Sequence, residues 1–227
     1  MFERDGAVYV KTDEDTLKAN RRSLNLKCSS VSSDKVLVIG GYVIAITLMS
    51  TADKLSGSGT LGAVEGLRGG GYTGQITVIS KEGYQPIDRT KLSKALLADL
   101  SKAAWRQKDF YKDASIEFKE GEVNSIDFSS KKVSTKSGET YEYSKLVLAT
   151  GGTPRWLPLD GLKGDLGNVF LLRTLPDAQN ILKAVGDNGK KVVVIGSSFI
   201  GMEVGNCLAG MKNDVTIIGM EEGEYAL

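Results

Sequence analysis

The sequence predicts an α/β fold in three layers, with a second and shorter βαβ unit nested in it. Three observations carry that prediction. Buried-strand runs at Lys35–Ile39, Lys145–Ala149 and Lys191–Ile195 each end in or beside glycine, as strands feeding tight βα turns do. Helix-like stretches separate these runs from the next strands, giving strand–helix–strand units. Between the two units, short alternating segments with turn residues read as an antiparallel excursion.

The elements follow in order. Gly6–Val10 alternates like a short strand, Thr12–Lys18 suits a short polar helix, and Ser29–Asp34 reads as a Ser-rich linker. Lys35–Ile39 opens the first unit. Gly62–Arg68 gives its helix, with Ala63, Val64 and Leu67 on one side, and Gln75–Ser80 its second strand. Asp88–Leu100 reads as one helix. Ser115–Phe118 and Glu122–Phe128 read as strands. Lys132–Thr135 and Thr140–Tyr143 frame a hairpin whose turn is Lys136–Glu139. Thr174–Val185 is expected as a helix with Pro176 and Asp177 in its first turn. Lys191–Ile195, Phe199–Met211 and Asp214–Ile218 make the second βαβ unit. The expected division is 1–34, 35–173 and 174–227.

Bulk properties exclude several chemistries. The 227 residues are 41% hydrophobic and 25% charged with net charge +1, ordinary for a globular protein and without the basic excess that attracts nucleic acid. Two distant cysteines make no disulfide framework. With no histidine, there is no Ser-His-Asp or Cys-His nucleophile and no His-ligated metal. Redox chemistry would have to come from an organic cofactor. The longest apolar run, Val36–Met49, has fourteen residues, short of the about 20 that cross a bilayer. The N-terminus has no signal-peptide h-region, and a cytoplasmic protein is expected.

The second glycine turn reads Gly196-Ser197-Ser198-Phe199-Ile200-Gly201, a G-x-S-x-x-G between strand and helix. Gly196 allows the tight turn, Ser198 stands where the backbone would approach a diphosphate, and Gly201 allows close helix–strand packing. The alternative is a merely tight βα loop. Gly219 takes the position nearest to a ribose-binding acid, and Glu221, two residues on, is the candidate for that role or an exposed surface glutamate.

The first turn is interrupted. Gly40 and Gly41 follow the strand, but Gly57, Ser58, Gly59 and Gly62 come only after the fifteen residues Tyr42–Ser56. Without those residues the text is strand, G-x-G-x-x-G, helix. An insertion there is awkward, because the turn must hold backbone close to a diphosphate. Back-translation permits a GTATGT donor across Gly41–Val43, a GCTGAC branch-point sequence in Thr51–Asp53 and an AG at Leu55–Ser56. A retained in-frame intron is therefore expected, with a natural loop insertion as the alternative.

Three segments together resemble one family. Gln75–Ser80 followed by Lys81–Lys94, Leu146–Arg155 ("LVLATGGTPR") and Val192–Glu203 ("VVVIGSSFIGME") are similar to apoptosis-inducing-factor-like flavoproteins, in particular those with an N-terminal Rieske domain. Residues 1–22 resemble the tail of that Rieske domain, whose own iron–sulfur ligands would lie upstream. The family continues beyond the second unit, so a truncated sequence is expected.

The resemblance implies a Rossmann-like FAD/NAD(P)-binding fold and a FAD-dependent NAD(P)H oxidoreductase. Electrons would pass from NAD(P)H through flavin to an acceptor such as an iron–sulfur centre. Gly40, Gly41, Gly57, Ser58, Gly59 and Gly62 would surround the FAD diphosphate. Glu82 would hold the adenosine ribose, Arg89 would touch the diphosphate, and Val123 would turn its backbone to adenine. Ala149, Thr150, Gly151 and Arg155 would close the FAD site. Gly196, Ser198, Phe199, Ile200 and Gly201 would receive NAD(P)H. Lys94 would approach the flavin ring, paired with Glu203 beside flavin N5. Mitochondrial association is also consistent with the family. The rival expectation is a non-catalytic remnant that at most binds a nucleotide. Taken alone, Arg89, Lys91 and Lys94 also suit an ordinary solvated helix face.

Overall fold

The computed structural model describes residues 2–4, 7–9, 33–40, 57–187 and 189–220. The expected helix at Thr12–Lys18, the Tyr42–Ser56 insertion, Gly41 and Glu221 lie outside them.

Four parallel strands form the main sheet: β3 (Lys35–Gly40), β4 (Gln75–Ser80), β5 (Ile116–Glu120) and β9 (Lys145–Ala149). Their order is β5-β4-β3-β9, with Val36 opposite both Ile76 and Lys145. The central strands are continuous Val/Ile/Leu runs because both faces are covered. Helix α1 (Ser58–Gly69) and helix α4 (Lys108–Asp113) cover one face. There Val36, Val38, Ile76 and Val78 pack with Val64, Tyr111 and Ala114. On the other face Leu37, Ile39 and Ile79 meet Val123, Val133 and Tyr143. These come from an antiparallel sheet of β6 (Val123–Asp127), β7 (Lys132–Thr135) and β8 (Thr140–Glu142) and the residue that follows it. Strand parity sends alternate residues into the two cores, and the three-layer prediction holds.

One packing feature was not legible in the sequence. Arg68, in the last turn of α1, is 2% exposed. Its Nε donates to Ala114 O at 2.8 Å, its Nη1 to Tyr72 O at 2.7 Å and Gly74 O at 2.9 Å, and its Nη2 to Ser115 O at 3.2 Å. It thereby ties the carboxyl ends of α1 and α4 to the chain entering β4.

The expected helix over Asp88–Leu100 is two helices. Helix α2 (Thr90–Ala95) starts where Asp88 Oδ1 accepts from Thr90 N at 3.1 Å. It stops at Leu96, whose backbone is left-handed (φ 42°, ψ 44°). Asp99 then caps α3 (Leu100–Ala103), accepting from Ser101 N at 2.8 Å. A left-handed leucine is costly. Burial offsets the cost, since Leu96 is 1% exposed among Ile181, Val185, Val204 and Leu208.

Helix α5 (Leu175–Val185) begins with a capping box in which Thr174 and Asp177 exchange side-chain and backbone bonds. Its Leu175 and Ala178 pack with Ile87 and Leu92, and its Ile181 and Val185 with Val204 and Leu208. It thus joins both units. In the second unit β10 (Lys191–Ile195) and β11 (Asp214–Ile218) pair in parallel around α6 (Phe199–Gly210). Val193, Ile195 and Ile218 are exposed on it. At the N-terminus, β1 (Phe2–Arg4) pairs antiparallel with β2 (Ala7–Tyr9), where only the second strand was expected. Among the described residues, no helix is long and apolar enough to cross a membrane.

Candidate functional site

The main-sheet strands are parallel, so their carboxyl ends share one edge. Strand β3 has its successor β4 on one side and the later β9 on the other, which makes its end a topological switch point, where open α/β sheets bind ligands. Gly40, Gly57, Thr60, Glu82 and Arg89 line one crevice there. Glycine is required at two of these positions. A Cβ on Gly40 would stand 2.2 Å from Thr60 Oγ1, and one on Gly57 would stand 2.8 Å from Ile87 O at a φ of 112°. No side chain caps α1. Ser58 and Gly59 lie in its first turn, half-buried. Gly62 lies on the second turn of α1. It is exposed, with nothing within 4 Å of its Cβ position. The close helix–strand contact is made by Thr60 against Gly40, so the third glycine is not what brings the two together.

Glu82 follows β4 and forms an ion pair with Arg89 Nη2. Arg89 Nη1 also donates to Arg173 O. Arg89 is therefore folded inward rather than lying on a solvated helix face, and it shares the Glu82 carboxylate. Val123 starts β6 and its side chain is buried in the sheet-to-sheet core. Ala149 ends β9 opposite Gly40. Thr150 and Gly151 (φ 69°) follow, half-buried, and Arg155 is exposed.

In the second turn, Gly196 has a φ of 116°, and a Cβ on Gly201 would stand 1.8 Å from Gly196 O. The helix meets the turn backbone to backbone there, with Val194 of β10 alongside. Ser198 is the N-cap residue of α6 but makes no side-chain cap bond, so amides of the first turn are left for another acceptor. Phe199 is 88% exposed beside an exposed Ile200.

The structure also brings together two residues far apart in sequence. Lys94 Nζ meets Glu203 Oε1 at 2.7 Å, and Ser93 Oγ donates to Glu203 Oε2. Residue spacing gave no sign of Ser93, because a serine in a short helix is usually solvated. The Lys94 hydrogen bond, then that of Ser93, lowers the Glu203 pKa below the ordinary carboxylate value. A carboxylate with a depressed folded-state pKa contributes stability above its unfolded value and loses it as pH falls through the folded one. The α2–α6 contact should therefore loosen only under acid conditions below the usual carboxylate range. A carboxylate titration followed by NMR checks the ranking. Lys94→Met should raise the Glu203 pKa more than Ser93→Ala; the opposite order would refute it.

Other residues escaped the sequence reading, Thr60 and Tyr84 in the crevice lining and Arg173 behind Arg89. Thr60 Oγ1 and Arg173 Nη2 are buried without a hydrogen-bond partner among the described residues. Burial, then neighbouring Glu82, pushes the Tyr84 hydroxyl well above its usual pKa. A larger hollow of about 470 Å³ lies beyond Tyr84 and Phe118, rimmed by Lys108, Lys112 and Lys119.

Comparison with known proteins places these features. Residues 56–223 match the family model of pyridine nucleotide-disulphide oxidoreductases. Apoptosis-inducing factor 3 of Mus musculus is 33% identical over 96% of this chain and 35% of its own length. Rubredoxin-NAD(+) reductase of Pseudomonas putida is 37% identical over 71% of this chain and 43% of its own length. The chain thus spans well under half the length of these curated relatives. Among solved structures, the covalent putidaredoxin reductase–putidaredoxin complex is similar, with a TM-score of 0.69 and 30% identity over 82% of this chain and 42% of that one. The ferredoxin reductase of the CYP199A2 system from Rhodopseudomonas palustris gives 0.68 and 30% over 80% and 42%.

Proposed function

Because the chain belongs to the pyridine nucleotide-disulphide oxidoreductase family, we propose that it serves a FAD-dependent NAD(P)H oxidoreductase that passes electrons from NAD(P)H through flavin to an acceptor such as an iron–sulfur centre. The observation that carries this reading is the crevice at the end of β3. There, positions that exclude a Cβ, an orphaned Thr60 hydroxyl and the Arg89 guanidinium converge beside Glu82. These suit the diphosphate and adenosine ribose of FAD. Close backbone takes the diphosphate, a cation neutralises it, and a carboxylate accepts ribose hydroxyls. Flavin, once bound, supplies the step between two-electron and one-electron chemistry.

The chain's own residues bind and orient. Gly57, Ser58 and Gly59 offer the start of α1 to the diphosphate, with Gly40 and Gly41 beside it. Val123 presents backbone to adenine, and Ala149, Thr150, Gly151 and Arg155 close the site. Gly196, Ser198, Phe199, Ile200 and Gly201 receive NAD(P)H, with Glu221 as the ribose acid. Lys94 and Glu203 stand between the two sites and hold a fixed charge pair beside the flavin ring.

The reductases among the relatives support an electron-acceptor protein as partner. Apoptosis-inducing factor 3 matches 96% of the chain where the rubredoxin reductase matches 71%, which favours the apoptosis-inducing-factor-like subgroup; the Rieske association and the division at 34 and 173 are part of the same proposal. A cytoplasmic or mitochondria-associated setting fits that subgroup.

Titration of the purified full chain with FAD, followed by flavin fluorescence, tests the main reading. We expect quenching on binding, and an affinity at least about tenfold weaker for Arg89→Met, the scale of one charge-assisted contact. Absence of FAD binding by the unmodified chain overturns it.

A further inference from the structure

Tyr84 belongs to no glycine turn and no charged pair, yet it lines the crevice beside Glu82 and Arg89. Its ring packs into the apolar cluster that α2, α3 and α5 share, against residues such as Ile87, Leu92, Ala103 and Leu175. The hydroxyl has partners on two sides. It accepts from Leu175 N, at the first residue of α5, at 3.4 Å, and it donates to the Glu82 side chain. Burial first, then the charge of Glu82, keeps the phenol protonated. It therefore faces the carboxylate as a donor and not as a second negative charge.

Glu82 is thus held from two directions. Arg89 Nη2 pairs with its Oε1, and the Tyr84 hydroxyl ties it to the start of α5. Both anchors are fixed in turn. The Thr174–Asp177 capping box sets the start of α5, and Glu82 N donates to Ser80 Oγ at 3.2 Å. A carboxylate offers about four acceptor sites. One guanidinium contact and one phenol contact leave room for two more donors, and a ribose carries two hydroxyls side by side.

We infer that Tyr84 is a positioning and specificity-determining residue for the adenosine ribose of a bound dinucleotide, its hydroxyl setting the Glu82 carboxylate to accept the ribose hydroxyls. This rests on the FAD reading above, in which Glu82 takes that ribose. Released from the phenol, the carboxylate would turn wholly toward Arg89, whose fork can occupy both oxygens, and the ribose would lose its acceptor.

Competition titrations against FAD fluorescence on the full chain test the inference, with ADP and 2′-deoxy-ADP as probes. The two differ by one ribose hydroxyl. The unmodified chain should prefer ADP by about tenfold, the scale of one hydrogen bond to a charged group. Tyr84→Phe keeps the ring and removes only the hydroxyl. In that variant the preference should fall to about threefold or less, and FAD affinity should drop about five- to tenfold. Glu82→Ala should show no preference. Each preference is a ratio measured on one chain, so any loss of stability cancels from it. A purely structural role for Tyr84 would weaken both diphosphates by the same factor, and an unchanged preference in Tyr84→Phe overturns the inference with the FAD reading left standing. So does a preference that survives in Glu82→Ala, or an unmodified chain that binds FAD but treats the two diphosphates alike. If the unmodified chain binds no FAD, the FAD reading fails and this inference with it.

Discussion

Arg68→Met will destabilise the chain by about 3 kcal/mol or more, read as a shift in its urea or thermal unfolding. Methionine fills most of the space, so the loss is not a cavity effect. It comes from the carbonyls of Ala114, Tyr72, Gly74 and Ser115, which lose their donors together. Stranded acceptors of this kind cost about 1–3 kcal/mol each when water cannot reach them. The charge itself is tolerated because α1 and α4 both turn their carboxyl ends, and so their partial negative charge, toward the guanidinium. Arg68→Lys should recover part of the loss, since an ammonium keeps the charge but cannot reach acceptors in four directions. A methionine variant within about 1 kcal/mol of the original would show that water replaces the guanidinium.

Gly201→Ala should be the most damaging single-methyl change in the second unit. The added Cβ would stand 1.8 Å from Gly196 O, a backbone atom that cannot rotate away. Helix α6 must then lift from β10, which costs about 2–3 kcal/mol as overpacking and opens the Gly196 turn. NADH affinity should fall with it, by about tenfold or more. Gly210→Ala is the matched control at the far end of the same helix. Its Cβ meets nothing within 4 Å, so it should be neutral or stabilising by up to about 1 kcal/mol. Equal behaviour of the two variants in thermal unfolding and NADH titration would refute the close-approach argument.

The strands were legible because burial on both faces writes itself as unbroken apolar runs. The Gln75–Ser80 and Lys145–Ala149 runs became strands with those bounds. The capping residues Thr174 and Asp177 likewise announced α5. The split between α2 and α3 was not legible. Leu96 belongs by type inside a helix, and only its burial against α5 and α6 explains its left-handed backbone. Lys94 and Glu203 were read as a pair through family resemblance, since no local pattern links residues so far apart. Ser93, Arg68 and Arg173 stayed hidden for a shared reason. Each is a polar residue whose partners are set by tertiary contacts, and composition and spacing treat such residues as solvated.

The grip of Ser93 and Lys94 on Glu203 makes the contact between α2 and α6 a gauge. The two glycine turns lie at the starts of different strand–helix units, and nothing local sets the gap between them. That gap is registered where a short helix holds one carboxylate by both oxygens. One extra residue between Gly201 and Glu203 in α6 would rotate that carboxylate by about 100° and release the gauge while leaving the spacing of both glycine turns intact. Redesign of either turn, beyond keeping its glycines, must therefore also keep the length of the first turn of α6.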